Sequence, residues 1–344
     1  MFNLKITGKK IWKQIDHSNR ILLHCHPGPD GDCVGSSLAF YHVLKNMGKD
    51  VVVIQGDNPI PKNLLTVPGT DKIIPQNIFQ IDLSKFDLFI INDSSSLKQI
   101  SRLGDIKFPK NLTTIVIDHH LSSDKFAKIN LVLPKYPSTC QILFDLFQLR
   151  KIKITPKIAA CLYIGMYTDT GGFKYVNTTY KTLNIASVLA KIYPKFPQLI
   201  FNHENSDQPD RLKFISVLLG SIENHYSDHV AIASISYSQI QSLQFSSQTL
   251  NNYSEISNML KSVIGWDIAV TMIEIQPDIV KVSFRTRDSK KYDLSKIALA
   301  TKAGGGHRAA SGATLNQSIY EAKKNILNII KKTYPKIDKI KKMD

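Results

Sequence analysis

The sequence predicts an α/β protein of two domains, the first of which is built on a doubly wound, mainly parallel β-sheet. Three observations lead to this prediction. The chain has 344 residues, which is more than one ordinary compact domain needs. Strand patterns alternate with helical patterns through the first half, the order that produces a parallel sheet. The strand patterns are near-continuous apolar runs, as expected of strands buried on both faces.

Each element of the first domain has its own signal in the sequence. Apolar or β-branched runs predict strands at residues 21–23, 51–54, 88–91 and 115–117. An apolar stripe at helical spacing predicts a helix over residues 34–47, which Gly48 ends. Two further helices are predicted, one from Pro137-Ser138-Thr139 to about Leu149 and one over residues 156–164.

A change in composition separates this domain from a second, smaller α/β domain. Prolines and a polar stretch between about residues 190 and 223 predict a boundary there. We therefore divide the chain into residues 1–190, a helical linker of residues 191–222, and residues 223–344. In the last part, a strand begins near residue 230, strands 268–275 and 279–284 pair with each other, and a helix covers residues 319–330. The lysine-rich segment after that helix is interpreted as a solvated terminus.

The composition limits the classes of protein that the chain can belong to. A hydrophobic fraction of 43% and a charged fraction of 21% are typical of a globular protein. We find no apolar run of the roughly 18 residues that a membrane span needs, and no secretory signal, so a cytoplasmic location is expected. The 4 cysteines lack zinc-like spacing and are interpreted as reduced thiols. The formal net charge of +16 favours polyanionic partners such as nucleotides or RNA.

Four clusters of acidic and imidazole side chains stand where strands are predicted to end. Because ligands of such sheets bind beyond the carboxyl ends of the strands, we expect the clusters to form one site. Their oxygen and nitrogen donors suit Mn²⁺ or Mg²⁺, and their number is enough for two ions. Gly35-Ser36-Ser37 is predicted to start a helix whose N–H groups suit a phosphate. The clusters are His26 with Asp30 and Asp32, then Asp93, then Asp118-His119-His120, and finally Asp169.

A glycine-rich segment near the C-terminus predicts a binding site for an anion. Residues 304–306 are three successive glycines, followed by His307 and Arg308. Glycines allow a ligand to approach the backbone closely, and free N–H groups there bind anions. With Arg285 upstream, we interpret the segment as a loop that holds an anion, and we expect the small residues after it to allow tight helix packing.

Together these motifs resemble the DHH/DHHA1 phosphoesterase superfamily over essentially the whole chain, and within it the group of oligoribonuclease and pAp-phosphatase enzymes. The resemblance implies a catalytic DHH domain in the first part, a substrate-binding DHHA1 domain in the last, and an active-site cleft between them. It implies two Mn²⁺ ions, with Mg²⁺ as a substitute. One ion would be held by His26, Asp30 and Asp93, the other by Asp32, Asp93, His119 and Asp169.

The resemblance also implies roles for the remaining motif residues. Asp118 would orient His119 or serve as an alternate metal ligand, and His120 would face the scissile phosphate, so that His120, Asp93 and Asp118 form the catalytic set. In the second domain, substrate would be bound by Arg285, Gly305, Gly306, His307 and Arg308.

These expectations lead to a hydrolase of very short oligoribonucleotides, including pApA, that releases 5′-mononucleotides and also acts on pAp. A cyclic di-AMP phosphodiesterase is the alternative, and a non-catalytic RNA-binding protein is a further one from a different class. A manganese pyrophosphatase would have the same arrangement of metal ligands in its first domain, but the glycine-rich segment and the arginines favour a nucleotide as the substrate. The expected partner is a short RNA or dinucleotide, with no membrane association, and a homodimer is compatible with the sequence.

Overall fold

The computed structural model describes residues 2–245, 249–250 and 253–339. The chain forms two compact units, residues 1–206 and residues 207–344. The boundary between them falls inside the segment predicted as a helical linker. That segment is largely helical, and one of its helices belongs to each unit.

The first unit alternates strands and helices, as the sequence predicts. Its described helices are Phe2–His17 (α1), Gly31–Asn46 (α2), Thr139–Leu149 (α3), Pro156–Asp169 (α4), Tyr180–Ile192 (α5) and Phe196–Glu204 (α6). Its strands are Arg20–His24 (β1), Asp50–Ile54 (β2), Ile73–Ile74 (β3), Leu88–Asn92 (β4), Thr113–Asp118 (β5) and Ile129–Val132 (β6). All four predicted strands are present, and β3 and β6 are additions at the two edges.

The sheet of this unit is entirely parallel, with strand order β3-β2-β1-β4-β5-β6. This is the order of a doubly wound sheet, which confirms the predicted fold class. The chain winds outward from β1 in one direction and from β4 in the other. Ligands of such sheets bind at the switch point between the two directions, beyond the carboxyl ends of the strands. In this sheet His26 follows β1 and Asp93 follows β4, so the two lie at the switch point.

The two faces of the sheet are covered differently. Residues of α1 to α6 form the main core with one face of β1, β4 and β5, where Leu23, Ile90 and Ile117 are fully buried. The opposite face packs on loops that contain short 3₁₀ turns, through residues such as Ile78 and Phe86. The helices that carry site residues therefore all lie on one side of the sheet.

The second unit is a six-stranded mixed sheet with helices. Its described helices are Pro209–Gly220 (α7), Tyr237–Leu243 (α8), Ser254–Lys261 (α9), Leu294–Ala300 (α10) and Ile319–Thr333 (α11). Its strands are Glu223–His225 (β7), Val230–Ile235 (β8), Ile268–Gln276 (β9), Ile279–Thr286 (β10), Gly304–His307 (β11) and Ala310–Asn316 (β12). The strand order is β11-β12-β10-β9-β8-β7, and only β8 and β9 run parallel among these neighbours. The predicted pairing of β9 with β10 is confirmed.

The glycine-rich segment differs from its prediction. Residues 304–307 form β11 at the edge of the sheet, and Arg308-Ala309 is the turn of a hairpin that leads into β12. The small residues that follow therefore pack in a strand and not in a helix. A Cβ atom on Gly306 would lie 2.7 Å from Ser311 Cα, so the hairpin itself requires glycine at that position. Apart from its chain neighbours, no atom of the described residues lies within 4 Å of the Cβ position of Gly305, so packing does not explain that glycine.

None of the helices in the described part of the chain is both long enough and apolar enough to cross a lipid bilayer.

Candidate metal centre

The predicted metal ligands come together at the carboxyl end of the parallel sheet. Potential ligand atoms lie within 4.8 Å of one another in three overlapping groups. The first group contains His26, Asp30 and Asp93, and the second contains Asp32, His119 and Asp169. The third joins Asp93 and His119 to His120. The first group has the same members as the first implied ligand set. The second group contains three of the four residues of the other implied set, whose fourth member, Asp93, groups with His119 and His120 instead.

Asp93 lies at the centre of this arrangement. Its Oδ2 is 3.5 Å from His26 Nε2, and its Oδ1 is 3.5 Å from His119 Nε2. The side chain is only 2% exposed. The residue has φ 53°, an uncommon conformation for a residue with a side chain and one that often marks functional sites. The two oxygens of Asp93 thus face two different imidazoles, as a bridging carboxylate must.

Asp169 reaches the site from a different kind of element than the sequence suggested. The predicted helix of residues 156–164 extends to Asp169, which is the last residue of α4. Its Oδ2 lies 3.1 Å from His119 Nε2. The expectation that all four clusters follow strands is therefore wrong for Asp169, because the helix α4 packs against α2 and α3 and its last residue meets His119.

The segment from His26 to Asp32 also differs from the prediction. Helix α2 begins at Gly31, so Asp32 lies in its first turn, and Gly35-Ser36-Ser37 lies inside the helix instead of starting it. Asp30 is the N-cap residue, and its Oδ1 accepts hydrogen bonds from the N–H groups of Asp32 and Cys33 at 3.1 and 2.9 Å. The N–H groups of Gly35-Ser36-Ser37, which were expected to suit a phosphate, therefore lie inside the helix, and two N–H groups at its actual start are bonded to Asp30.

Two residues that the sequence analysis did not single out hold the carboxylate of Asp32. The N–H of Thr139 donates to Asp32 Oδ2 at 2.6 Å, and the N–H of Cys140 donates to Asp32 Oδ1 at 2.8 Å. The Thr139 hydroxyl also donates to Asp93 Oδ1 at 3.1 Å. These groups form the N-terminus of α3, where the partial positive charge favours an anion. The predicted start of α3 was a signal for such a role, but it did not indicate which carboxylate would be bound.

Asp118 contacts His120 and not His119, which corrects the role expected for it. Its Oδ1 lies 2.8 Å from His120 Nδ1 and accepts the backbone N–H of His120 at 3.2 Å. Asp118 is fully buried, whereas the His120 side chain is 48% exposed. The hydrogen bond to Asp118 raises the pKa of His120 above its usual value, against the effect of burial. His120 therefore presents a ring that favours the protonated form.

The shifted pKa values of the clustered side chains show that the site favours positive charge. Burial and the carboxylates of Asp169 and Asp93 raise the pKa of Asp32 well above its usual value. Burial also raises the pKa of Asp169 to about 6, and that of Asp30 above its usual value. Burial alone would lower the pKa of His119, but its contacts with Asp169 and Asp93 raise it to about 12.

Two more observations agree with a metal site. His119 Nε2 is buried and, although Asp169 Oδ2 lies 3.1 Å away, it has no partner with hydrogen-bond geometry among the described residues. The side chains of the cluster offer only oxygen and imidazole nitrogen, which divalent cations such as Mn²⁺ and Mg²⁺ accept. Such ions would hold the clustered carboxylates ionised and replace protons on the imidazoles.

Two of the predicted anion-binding residues of the second unit, Arg285 and His307, lie on one face of its sheet. Arg285 on β10 is directly opposite Ala310 on β12, which is opposite His307 on β11. Directly opposed residues point to the same face, so Arg285 and His307 flank Ala310, about 10 Å apart from strand to strand. The adjacent row on this face contains only small residues, namely Ser283, Gly312 and Gly305.

The other predicted substrate-binding residues of this unit are two glycines of β11 and Arg308 in the hairpin turn. The N–H of Thr314 donates to Ala303 O, which shows that Ala303 directs its backbone groups towards β12. Successive residues of an antiparallel strand alternate in this direction. The N–H of Gly305 therefore points towards β12, and that of Gly306 points to the open edge of the sheet. Arg308 is exposed, and its guanidinium donates to Ser289 O at 3.2 Å and lies 3.5 Å from Asp293. In this structure Arg308 therefore secures the neighbouring loop.

A doubly wound sheet whose switch point gathers clustered carboxylates and imidazoles has the features that a metal-dependent phosphoesterase needs. The comparison with known families agrees with this class. The DHH family, N-terminal domain, matches residues 20–166, and the DHHA1 domain matches residues 235–335. The chain belongs to the DHH/DHHA1 phosphoesterase superfamily.

Curated relatives match most of the chain. It is 28% identical to the bifunctional oligoribonuclease and PAP phosphatase NrnA of Mycoplasma genitalium, covering 94% of this chain and 95% of that one. It is 27% identical to the protein of the same name from Thermus thermophilus, over 86% of this chain and 84% of that one. For the Bacillus subtilis NrnA the identity is 26%, and the coverage is 86% and 89%.

Solved structures share the fold. An exopolyphosphatase-related protein from Bacteroides fragilis superposes with a TM-score of 0.86 at 25% identity, covering 96% of this chain and 97% of that one. RecJ from Thermus thermophilus, solved in complex with Mn²⁺, has a TM-score of 0.53 at 13% identity. That match covers 99% of this chain and 55% of RecJ, and it shows likeness of fold.

Proposed function

We propose that this protein is a manganese-dependent phosphodiesterase that hydrolyses very short oligoribonucleotides, including pApA, to 5′-mononucleotides, and that it also converts pAp to AMP. The observation that carries the proposal is the pair of ligand groups joined by Asp93, which faces both His26 and His119. The relatives named oligoribonuclease and PAP phosphatase support the choice of substrates.

The residues present define how two ions would be held. His26 and Asp30 would hold one, Asp32, His119 and Asp169 the other, and Asp93 would contribute an oxygen to each. When bound, the ions would supply Lewis acidity, lower the pKa of water and neutralise charge on the phosphoryl oxygens. The N-terminus of α3 fixes Asp32, and the Thr139 hydroxyl fixes Asp93, so both carboxylates are oriented before any ion arrives.

His120 is the residue that would act on the substrate itself. The Nδ1–H of His120 donates to the carboxylate of Asp118, which leaves Nε2, directed away from Asp118, to carry the second proton of the charged ring. Because its pKa is raised, the ring carries a proton that it can direct at the scissile phosphate or at the departing oxygen. The protein would thus stabilise negative charge that develops during cleavage.

The second unit would bind the end of the substrate. Arg285 and His307 would contact a terminal phosphate, and the glycines beside them, Gly305 and Gly312, would let the nucleotide approach the sheet, whereas Ser283 is buried. Gly305, whose Cβ position is open, and the edge-directed N–H of Gly306 would allow close backbone contact. A binding surface this small favours substrates of two to a few nucleotides over long RNA.

Product analysis by chromatography tests the proposal. Purified protein with Mn²⁺ is given pApA, a 5-mer RNA, a 24-mer RNA, pAp and cyclic di-AMP at equal concentration. We expect pApA and the 5-mer to yield mononucleotides quickly, pAp to yield AMP, and the 24-mer and cyclic di-AMP to react slowly. Faster opening of cyclic di-AMP would replace the proposed substrate with the cyclic dinucleotide. Inactivity on all five would overturn the proposal.

A pair of variants tests the role of the second unit. Arg285→Ala should raise the KM for pApA by about 10-fold or more, because a charge-assisted contact to phosphate is lost. Arg20→Ala removes the same charge at the N-terminal end of β1, opposite the end at which the metal ligands gather, and should leave KM unchanged. Equal effects of the two substitutions would indicate a general charge effect and not a binding site.

A further inference from the structure

The loop that follows the metal ligand Asp169 has an unusual backbone. Gly171, Gly172 and Phe173 have successive φ values of 57°, 67° and 64°. Such a conformation is strained at Phe173, which carries a side chain, and persists only where the surroundings impose it. The Thr170 hydroxyl accepts the N–H of Phe173 at 3.1 Å, and Thr170 O accepts the N–H of Tyr175 at 3.0 Å. The loop therefore folds back on the end of α4 in a defined shape.

This backbone places the ring of Tyr175 flat against Gly171. A Cβ atom at Gly171 would lie within 2.8 Å of three ring atoms, Cζ, Cε1 and Cε2. Its nearly equal closeness to all three means that Gly171 lies over the face of the ring and not at its edge. Glycine is required at this position both by the positive φ and by the ring.

The other face of the Tyr175 ring is not used by the fold. The residue is 54% exposed, and its hydroxyl has no hydrogen-bond partner among the described residues. The neighbouring tyrosines differ, since Tyr163 is buried in an aromatic cluster and the Tyr167 hydroxyl bonds Glu204. An exposed aromatic face whose opposite face is held against the backbone can stack on a planar ligand.

The position of this surface is tied to the metal centre. Gly171, on which the ring rests, is two residues beyond Asp169. The far end of the loop is also attached to Asp169, because the Asn177 side-chain amide donates to Asp169 O at 3.5 Å. Tyr175 is therefore held on a loop that starts directly after Asp169 and is bonded back to it.

We propose that Tyr175 is a substrate-binding residue that stacks on the nucleobase next to the scissile phosphate. The inference rests on the proposed function, and it deepens it by assigning the base to a surface of the first unit. Every base has a π face, so a stacking platform gives affinity without strong base preference. The residue would therefore select for the presence of a base on that nucleotide.

Kinetics with paired substrates test this inference. The substrates are pApA and its analogue in which the 5′ nucleoside lacks its base, and the variants are Tyr175→Ala and Tyr175→Phe. Stacking on one aromatic ring corresponds to a factor of roughly 5 to 150 in binding. For pApA we expect Tyr175→Ala to raise KM by about 10-fold with little change in kcat, and Tyr175→Phe to remain close to wild type. For the analogue, we expect wild type and Tyr175→Ala to be equal.

The matched control is Tyr180→Ala, which removes a tyrosine that is 81% exposed at the start of α5. It should leave both substrates unaffected. Equal losses on the two substrates in Tyr175→Ala would mean that the ring only supports the loop, and no loss on either would mean that it contacts nothing. Both results would overturn the inference.

A binding measurement separates this inference from the proposed function. If wild type hydrolyses neither substrate, the proposed function fails, and fluorescence of a dinucleotide containing 2-aminopurine decides the stacking. Quenching by wild type and Tyr180→Ala, but not by Tyr175→Ala, supports the platform. Absence of quenching by wild type, or unchanged quenching by Tyr175→Ala, overturns it.

Discussion

Replacing Asp93 with asparagine is the most direct test of the site. The substitution keeps the size of the side chain but removes its charge and one of its two acceptor oxygens. In the structure those oxygens face His26 on one side and His119 on the other, each at 3.5 Å. Asp93→Asn should therefore damage both ligand groups at once.

The expected size of the effect follows from this shared position. Loss of a group that only supports a metal ligand already costs about 10- to 100-fold in metal affinity. Loss of a ligand should cost at least about 100-fold at each site, or about 2.8 kcal/mol per ion. Because both sites lose the same residue, occupancy by the pair falls by about 10⁴-fold, and turnover should fall well beyond tenfold.

The assay combines metal content after dialysis with the kcat for pApA at saturating Mn²⁺. Asp30→Asn is the matched control, because Asp30 belongs to only one of the ligand groups and asparagine preserves its N-cap hydrogen bonds. We expect Asp30→Asn to weaken the binding of one ion and Asp93→Asn to weaken the binding of both. The reasoning is refuted if Asp93→Asn retains two ions with turnover within tenfold of wild type, or if both variants lose the same ion alone.

Three further predictions concern the proton on His120, the pH dependence of metal binding and the core. Asp118→Asn removes the charge that raises the pKa of His120. The kcat should therefore fall about 10- to 100-fold, and the alkaline limb of the pH–kcat profile should move to lower pH. An unmoved limb would contradict this role. The pKa of His119 is raised to about 12 without metal, and its proton must leave for an ion to bind, so Mn²⁺ affinity should rise about tenfold per pH unit for each proton displaced. Calorimetry at pH 6.5 and 8.5 checks this, and a pH-independent affinity would count against it. Phe40→Ala removes a fully buried ring from α2 and should lower the free energy of unfolding in urea by about 3–5 kcal/mol; a loss below about 1 kcal/mol would mean that the core collapses around the cavity.

The fold of the first unit was predictable because its signals are local. Each strand is a short apolar run such as Ile115-Val116-Ile117, and alternation with helices leaves a parallel sheet as the natural arrangement. The edge strand β3 was not predicted, because two residues, Ile73-Ile74, carry too little pattern to be recognised. Strand β6, Ile129–Val132, is only partly buried and contains a polar residue, so it also lacks a continuous run.

The errors in the predicted elements occurred where two local signals compete. Gly35-Ser36-Ser37 suggested the start of a helix, yet α2 already begins at Gly31, because the carboxylate of Asp30 caps its first N–H groups. The three glycines at 304–306 suggested a loop, yet pairing with β12 makes them a strand. In both cases a hydrogen-bonding partner, and not the glycines alone, decided the local structure.

The sequence by itself determined the ligand types, their order along the chain and the edge of the sheet at which they gather. These are consequences of residue chemistry and of strand periodicity, both of which are readable locally. Only the tertiary structure decided which atoms meet. Asp32 is held by backbone N–H groups 107 and 108 residues further along the chain, and Asp118 contacts His120 where either histidine was chemically suitable. Such pairings depend on how α3 and α4 pack beside the sheet, which is fixed by side-chain shape across long sequence separations and not by any single segment.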